Sequence, residues 1–195
     1  MGSAYQEGEA LNNAVISRKE IIDSSCEIIK KNGFGNFSIR EAAADCNISV
    51  GSVYNYFSSK SELLCAAAES IWSEIFEHPD DSEIFFSIEK CLRWLCMRID
   101  YGNREYPGFI ENHSLLFSEA KGEEGRKAME KMREHIIRSL TFVIKKDSKI
   151  RADAFNDKFT PEALAEVLFS LLFSSALGSS CNIDTILEII HRTVY

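Results

Sequence analysis

Hydrogen-bonding side chains are concentrated between residues 49 and 64, which read SVGSVYNYFSSKSELL. Hydroxyl, amide and phenol groups can bind phosphate oxygens and the edges of bases, and a lysine adds a positive charge. The backbone N–H groups of a helix that begins after Ser49 can add a further phosphate contact. Ser52 or Asn55 taken alone fits an ordinary solvated position, but the whole group indicates a surface that binds a polar or anionic partner.

Local signals place these side chains on short helices. The segment 38–41, SIRE, has the form of a capping box, in which the serine accepts from the backbone at the glutamate and the glutamate reaches back, so a short helix is predicted over about 39–46. Asn47 tolerates the left-handed conformation of a tight turn, and Ser49 caps a helix predicted over about 50–56. A short helix, a turn of about three residues and a second short helix make a helix-turn-helix arrangement.

A further helix is predicted directly after this arrangement. Ser59 and Glu62 form a second capping box, which places the start of the helix at Lys60. A lysine in that position opposes the helix macrodipole, so a functional need for its charge would explain it. In the preceding helix, Val53 and Phe57 are four residues apart and can face inward, which leaves the polar side chains outward.

The composition is that of a folded globular protein, since 45% of the 195 residues are hydrophobic and 27% are charged. Only three prolines interrupt the chain, and no apolar run reaches the roughly 18 residues that span a membrane, so we expect an all-α protein without a membrane partner. The net charge of −8 argues against a bulk nucleic-acid binder. Residues 17–64, however, hold six basic and six acidic residues, so the excess acid lies mainly elsewhere.

Catalytic and metal-ligating patterns are not recognisable. The six cysteines include no CxxC pair and the four histidines no HxxxH or HExxH spacing, so we expect no metal site and interpret the cysteines as free thiols in a reducing cytoplasm. Gly33-Phe34-Gly35 lacks the third glycine and the preceding strand of a dinucleotide-binding fingerprint. We therefore predict a cytoplasmic protein that is not an enzyme and has no cofactor.

Several of these residues match a known family in order and spacing. The matching elements are Gly33-Phe34, Ser38-Ile39-Arg40, Ala43, Ile48-Ser49, Gly51-Ser52-Val53-Tyr54, Tyr56-Phe57, Lys60 and Leu63-Leu64. Over residues 17–65, about a quarter of the chain, the sequence resembles the DNA-binding domain of the tetracycline-repressor (TetR) family. Asn47 stands where that family usually has a turn glycine, a role that asparagine can fill.

The resemblance implies a set of DNA contacts. Ser38 and Arg40, at the start of the second helix, would reach the DNA, with Arg40 as the candidate for a guanine contact. The implied major-groove residues are Val50, Gly51, Ser52 and Asn55, and the implied phosphate contacts are Tyr54, Tyr56 and Lys60, beside the cap at Ser49. Gly51 would let the backbone come close to the DNA.

The remainder of the chain is also predicted to be helical, which makes about nine helices in all. The first helix is expected over about 17–31 and ends at Asn32-Gly33. The other helices are expected over about 60–77, 82–101 with Gly102 just beyond, 108–120, 123–146, 161–177 with Thr160 as its cap, and 184–193. A polar connection is expected over 147–159.

Residues 163–178, ALAEVLFSLLFSSALG, are apolar almost all round, with Glu166 as the only charge. A helix of this kind is buried on more than one side, most easily by a second subunit, although a central position in a monomer is the alternative. In the resembled family the last two long helices form a four-helix dimer interface. The resemblance therefore implies a homodimer through the helices at about 161–177 and 184–193.

The middle of the chain carries large apolar side chains beyond a minimal core. The resemblance implies that this region encloses a pocket for an unidentified small-molecule effector, which we expect to be apolar with a few polar groups. The candidate ligand contacts are Trp94, Met97, His113 and Phe117, although each of them also fits a core position. The acidic middle region is consistent with a cationic effector and equally with surface solubility.

Three segments are therefore predicted: a flexible arm over 1–16, a helix-turn-helix DNA-binding domain over 17–65, and a helical effector-binding and dimerisation domain over 66–195. The implied function is a homodimeric transcriptional repressor that a small molecule releases from a palindromic double-stranded DNA operator. The sequence does not distinguish a repressor from an activator. The alternative is a helical ligand-binding or adaptor protein without operator binding. The neutral charge of residues 17–64 favours this alternative, whereas the presence of Arg40, Tyr54, Tyr56 and Lys60 argues against it.

Overall fold

The computed structural model describes residues 16–77, 83–110, 123–176 and 183–195, and these residues form eight α-helices. The helices are α1 (Arg18–Asn32), α2 (Ile39–Asp45), α3 (Val50–Tyr54), α4 (Lys60–Ile75), α5 (Ile88–Glu105), α6 (Glu123–Lys146), α7 (Pro161–Ala176) and α8 (Ile183–Thr193). Short 3-10 helices cover Phe34–Asn36 and Glu83–Phe86, and Asn156 and Phe159 form an isolated β-bridge. The predicted all-α fold class is confirmed.

The helix-turn-helix unit follows the local signals in its sequence. α1 ends at Gly33, which has a φ of 78°. Asn47, between α2 and α3, has a φ of 53°, which confirms the predicted left-handed turn. The hydroxyl of Ser49 accepts a hydrogen bond from the backbone N–H of Ser52 at 3.0 Å and caps α3. This helix ends at Tyr54, two residues earlier than predicted.

The predicted capping boxes differ from the observed hydrogen bonds. Ser38 occupies the N-cap of α2, but its side chain makes no hydrogen bond to the helix, so the capping box predicted there is wrong. Ser59 does accept from the backbone N–H of Glu62 at 3.0 Å, whereas the carboxylate of Glu62 accepts from the backbone N–H and hydroxyl of Ser58. One consequence is that the hydroxyl of Ser38 is not used by its own helix.

The start and end of α5 correct the sequence prediction, which placed this helix over 82–101 with Gly102 as its end. Ser87 is the N-cap, because its hydroxyl accepts from the N–H of Lys90, and the preceding residues form a 3-10 helix. Gly102 is buried inside α5, where a Cβ would lie 2.7 Å from Cδ1 of Ile75. The glycine therefore permits the close approach of α4 instead of ending the helix.

α4 joins the helix-turn-helix unit to the remaining helices. It packs on α1, and in its C-terminal half Ile71 and Ile75 are fully buried. The buried side chains of both parts belong to one continuous core. The predicted domain boundary at residue 65 falls inside α4 and stays a prediction.

A buried carboxylate ties α5, α6 and the C-terminal end together. Asp147, directly after α6, is 6% exposed and accepts hydrogen bonds from the backbone N–H of Ile88 at 2.8 Å and from the hydroxyl of Tyr195 at 2.5 Å. Ile88 is the first residue of α5, and the N-terminus of a helix favours a negative charge. The backbone N–H of Arg151 also donates to the carbonyl of Val194 at 3.0 Å, so the 147–159 connection is held against the end of the chain.

Other predictions are met in part. The predicted helix over 108–120 falls mostly on residues that the structure does not describe. Free thiols are confirmed at Cys26, Cys46 and Cys91, and Cys65 is likewise not in a disulfide; Cys96 is disulfide-bonded, so the prediction of free thiols is wrong there. Among the described residues, no helix has both the length and the apolar character needed to cross a membrane.

Candidate nucleic-acid interface and ligand cavity

The outward face of the helix-turn-helix unit is determined by what its inward face buries. Val53 and Phe57 are 0% and 1% exposed, so one side of α3 and its end is fixed in the core. The exposed or half-exposed residues are Val50, Gly51, Ser52, Tyr54 and Asn55. The structure thus places the predicted major-groove residues on the open side of one short helix, and their contacts to DNA stay a prediction.

Gly51 lies on this open side without an internal reason to be glycine. Its backbone is not in the left-handed region, and a Cβ would meet only Oγ of Ser49, at an ordinary contact distance of 3.6 Å. A glycine inside a helix costs roughly 0.5–1 kcal/mol relative to alanine. Because no described contact within the protein requires this cost, the glycine indicates room for the close approach of a partner.

The hydroxyl groups of this face are pre-arranged. Oγ of Ser49 and Oγ of Ser52 lie 2.8 Å apart, and either can be the donor. One hydroxyl hydrogen of the pair is therefore left for a partner. Ser38, at the start of α2, is half-exposed and contributes a third hydroxyl that its own helix does not use.

Three cationic side chains of the helix-turn-helix unit and the helices next to it could meet a polyanion. Arg40 and Lys60 are exposed, and no described residue forms an ion pair with Arg40. Arg18 was missed in the sequence: its guanidinium lies 4.5 Å above the ring of Phe57, three residues after the end of α3, and 3.6 Å from the carboxylate of Glu62. A usable signal existed, because Arg18 is a cation in the first turn of α1 and opposes the helix macrodipole as Lys60 does in α4.

The two tyrosines near the end of α3 differ in their hydrogen bonds. The hydroxyl of Tyr56 is half-buried and donates to the carbonyl of Ile16 at 2.5 Å, which holds the start of α1. The predicted phosphate contact of Tyr56 would require this bond to open, and it stays a prediction. Tyr54 is 47% exposed, so it is the better placed of the two to donate to a partner.

Four of the six acidic residues of 17–64 lie in a groove to which no described residue of α3 contributes, whereas Glu41 and Glu62 lie outside it. Five carboxylates line this open groove between α1, the end of α2 and α4, and they belong to Glu20, Asp23, Glu27, Asp45 and Glu74. Residues 17–64 have no net charge, but their charges are not evenly distributed, because most of their carboxylates lie in this groove. Across the described ranges, no cluster of His, Cys, Asp and Glu side chains is arranged to hold a metal ion.

A cavity with two lobes lies among α4, α5, α6 and α7. The first lobe has a volume of about 30 Å³ and only apolar lining residues, among them Trp72, Ile99, Met132, Phe169 and Phe173. The second lobe has a volume of about 80 Å³ and is lined by residues that include Phe85, Cys91, Trp94, His135 and Ser139. The two lobes share a wall that consists of Phe76, Leu95 and Ile136.

The predicted ligand contacts meet this cavity only in part. Trp94 lines the second lobe. Met97 is 59% exposed and is not among the described residues that line either lobe, because it lies on the side of α5 opposite the buried residues of that helix; its ligand contact stays a prediction. His113 and Phe117 lie outside the described residues. Ser139 was missed, and nothing in its spacing distinguishes it from other serines.

The exposed face of α3, together with Arg18, Arg40 and Lys60, defines a helix-turn-helix module of the kind that binds nucleic acid, joined to a helical unit with an internal cavity. Residues 21–67 match a model of the family described as bacterial regulatory proteins, tetR family. Over 52 residues, 27% of this chain, the sequence is 40% identical to the uncharacterized HTH-type transcriptional regulator YerO of Bacillus subtilis (strain 168). The match spans only 18% of the length of that curated relative.

Solved structures share the fold over most of the chain. The multidrug binding protein EbrR complexed with proflavin superimposes with a TM-score of 0.62 at 18% identity, covering 91% of this chain and 99% of EbrR. A TetR-family transcriptional regulator from Marinobacter aquaeolei VT8 gives 0.60 at 18% identity, covering 92% of each chain. Residues 21–67 are therefore similar to the DNA-binding part of the tetR family, and the chain as a whole shares the fold of these solved structures.

Proposed function

We propose that this protein is a transcriptional regulator of the tetR family: a cytoplasmic homodimeric repressor, which binds a near-palindromic operator and leaves it when a small molecule occupies the cavity. The open face of α3 carries the proposal. Gly51 leaves room there that the fold does not need, and Arg40 is exposed without an ion pair to any described residue. An adaptor that had lost operator binding would have no use for either feature.

Exposed apolar side chains on the last two helices support the dimer. Val167 of α7 is 50% exposed and Ile189 of α8 is 40% exposed, while Leu171 is half-exposed. Burial of such side chains between two copies is favourable by about 25 cal/mol per Å² of apolar surface. A dimer formed through α7 and α8 would place two copies of α3 in successive major grooves, about 34–36 Å apart.

A chain of aromatic contacts supports coupling between the cavity and the DNA-binding unit. Phe34, directly after α1, lies 5.6 Å from Phe109, and Phe109 lies 5.2 Å from Trp72. Trp72 and Phe76 both line the first lobe of the cavity. A ligand that shifts these two rings would therefore press on a contact that reaches α1, provided that it binds the two conformations with different affinity.

The fold relatives add support for a small-molecule effector. EbrR was solved in complex with proflavin and in complex with imidazole, and this chain shares its fold at 18% and 20% identity. Small-molecule binding is therefore compatible with this arrangement of helices. The chemistry of the ligand has to come from the residues of this chain, since so low an identity says nothing about it.

Selection of bound duplexes from a random DNA pool tests operator binding, with the salt concentration held fixed because phosphate contacts make affinity depend on salt. Wild type should enrich a near-palindrome with half-sites one helical turn apart. With Arg40→Ala, the enriched motif should show a weaker or no base preference at one position of each half-site. Binding to the wild-type site should weaken by about 1–3 kcal/mol. Arg138→Ala is the matched control, because Arg138 is an exposed arginine of α6 far from α3 in sequence.

The outcomes of this selection separate the two functions. A palindrome that depends on Arg40 but not on Arg138 establishes a dimeric, sequence-specific regulator and supplies the operator for tests of release. No enrichment, repeated after denaturing and refolding to remove any copurified ligand, would refute operator binding and leave the adaptor function.

A further inference from the structure

We propose that the cavity takes an uncharged, flat and mostly apolar molecule, whose one polar group lies against Ser139. The biological meaning of this inference rests on the proposed effector role of the cavity. The binding itself does not, since it can be measured without DNA.

Among the described residues, the walls of the cavity carry no Asp, Glu, Lys or Arg side chain, and His135 is their one side chain that can carry a positive charge. The described lining side chains of the first lobe are apolar, and His135 and Ser139 are the polar ones among those described for the second lobe. A charged ligand that enters such surroundings loses its hydration without gaining a counter-ion, which costs several kcal/mol. Both cations and anions are therefore disfavoured, despite the acidic composition of the chain.

The rings around the first lobe favour a flat ligand. Trp72 and Phe76 are stacked, with centroids 5.4 Å apart and planes 8° from parallel. On α7, Phe169 and Phe173 are stacked in the same manner, at 5.8 Å and 19°. A planar aromatic molecule can extend such stacks on either wall, whereas a branched aliphatic molecule cannot.

The polar groups lie at one end of the second lobe. His135 and Ser139 are one turn apart on α6, with His135 exposed and Ser139 half-buried. A serine hydroxyl can both donate and accept, so it suits a hydroxyl, amine or carbonyl group of the ligand. The polar group of a ligand would face this end, and its apolar rings would lie deeper.

The size of the lobes indicates how a ligand enters. Volumes of about 30 and 80 Å³ are well below the ~300–1,000 Å³ of typical ligand sites, so a three-ring molecule requires the shared wall to move. Phe76 is the wall residue that moves most easily, because it is half-buried and lies directly after the last helical residue of α4. Its displacement would disturb the stacked ring of Trp72.

Two matched pairs of dyes test the charge preference by equilibrium titration. N-phenyl-1-naphthylamine and 8-anilinonaphthalene-1-sulfonate share a ring skeleton, but only the second is an anion. Acridine and N-methylacridinium form the corresponding neutral and cationic pair at pH 8. We expect the neutral member of each pair to bind at least about tenfold more tightly, since an unpaired charge has to be desolvated. A smaller preference in either pair, or the reverse order, would overturn the proposal.

The tryptophans report where the dyes bind. The chain has two tryptophans, and Trp72 lines the first lobe while Trp94 lines the second. The variants Trp72→Phe and Trp94→Phe each leave one of them as the fluorophore. Energy transfer from both tryptophans to N-phenyl-1-naphthylamine supports the cavity as its site. The absence of transfer from both, with tight binding retained, would place the dye elsewhere and refute the assignment.

Ser139→Ala tests the polar end. We expect this variant to weaken the binding of 1-naphthol, measured by competition with the dye, about 2- to 10-fold, which is the range of one neutral hydrogen bond. The affinity for naphthalene should not change. Ser170→Ala is the control, because this serine is exposed on α7 and bonds to the carbonyl of Glu166. An equal effect on both competitors, or no effect on 1-naphthol, would overturn the role of Ser139.

These results are independent of the operator experiment. Selective binding of neutral dyes in a protein that shows no operator, or whose operator affinity the dyes do not change, supports the ligand class and refutes release by the ligand. Operator binding that only a charged compound reverses would refute the ligand class and leave the repressor function in place.

Discussion

Replacing Gly51 by alanine separates the stability of the fold from DNA binding. A Cβ at this position has open space apart from Oγ of Ser49 at 3.6 Å, and the residue is part of α3. Alanine should therefore stabilise the protein by about 0.5–1 kcal/mol through helix propensity and a smaller entropy loss on folding. In a chain of 195 residues this corresponds to a rise of roughly 1–4 °C in Tm.

The same methyl group should weaken operator binding. If the DNA approaches the backbone of α3 as closely as the glycine indicates, the added group displaces it and costs about 1–3 kcal/mol per half-site, by analogy with overpacked interfaces. Each half-site would then lose roughly 5- to 150-fold in affinity. Thermal unfolding and titration of the selected duplex at fixed salt measure the two effects on one preparation.

Gly35→Ala is the control for this experiment. Gly35 has nothing within 4 Å of a Cβ and, like Gly51, no positive φ, but it lies in the 3-10 helix after α1 instead of in α3. It should leave operator affinity unchanged. Unchanged affinity in Gly51→Ala would show that the DNA does not approach this backbone, and a fall in its Tm would show that the fold itself needs the glycine.

Further predictions concern the contacts that hold the helices together. Gly102→Ala should have the opposite effect to Gly51→Ala, because its Cβ would lie 2.7 Å from Cδ1 of the buried Ile75. The free energy of unfolding should fall by about 1–3 kcal/mol, measured as a lower urea midpoint. Asp147→Ala should cost about 1–3 kcal/mol for each buried donor it leaves unpaired, among them the N–H of Ile88; a loss below 1 kcal/mol in urea unfolding would contradict this. Burial, and then the hydrogen bond to Asp147, raise the pKa of Tyr195 above its usual value of 10.0, so this contribution to stability is present below about pH 10 and is lost as the pH rises further. Tyr195→Phe should flatten that alkaline decline in pH-dependent unfolding.

The parts of the fold that depend on neighbouring residues could be predicted from the sequence. Asn47 takes a positive φ and Ser49 caps α3, since both outcomes are decided within a few residues of backbone. The start of α5 was misplaced for the opposite reason. Ser87 caps it, but Asp147 binds its first N–H from 59 residues away, and no local pattern contains that contact.

The role of Gly102 also depends on a residue that is distant in the sequence, so it could not be predicted from the local pattern. A glycine near the end of an apolar pattern can end a helix or allow a second helix to come close, and the sequence is identical in the two cases. Only the position of Ile75 decides between them. The candidate ligand residues were ambiguous in the same way, because Trp94 and Met97 are both large apolar residues of α5, and which side faces the cavity depends on α4 and α6.

In the proposed release from DNA, α4 is the element that would connect the cavity with the helix-turn-helix unit. This helix of 16 residues is about 24 Å long. It begins at Lys60, next to the helix-turn-helix unit, and Phe76 in the cavity wall follows its last residue. The C-terminal end of α4 has no room to move by itself when that wall shifts. Ile75 packs so closely on Gly102 of α5 that even an added Cβ would not fit between them. The guanidinium of Arg98 in α5 also donates to the carbonyls of Glu74 and Ile75. A displacement of Phe76 is therefore more easily accommodated by tilting α4 as a whole, which moves Lys60, than by bending its last turn.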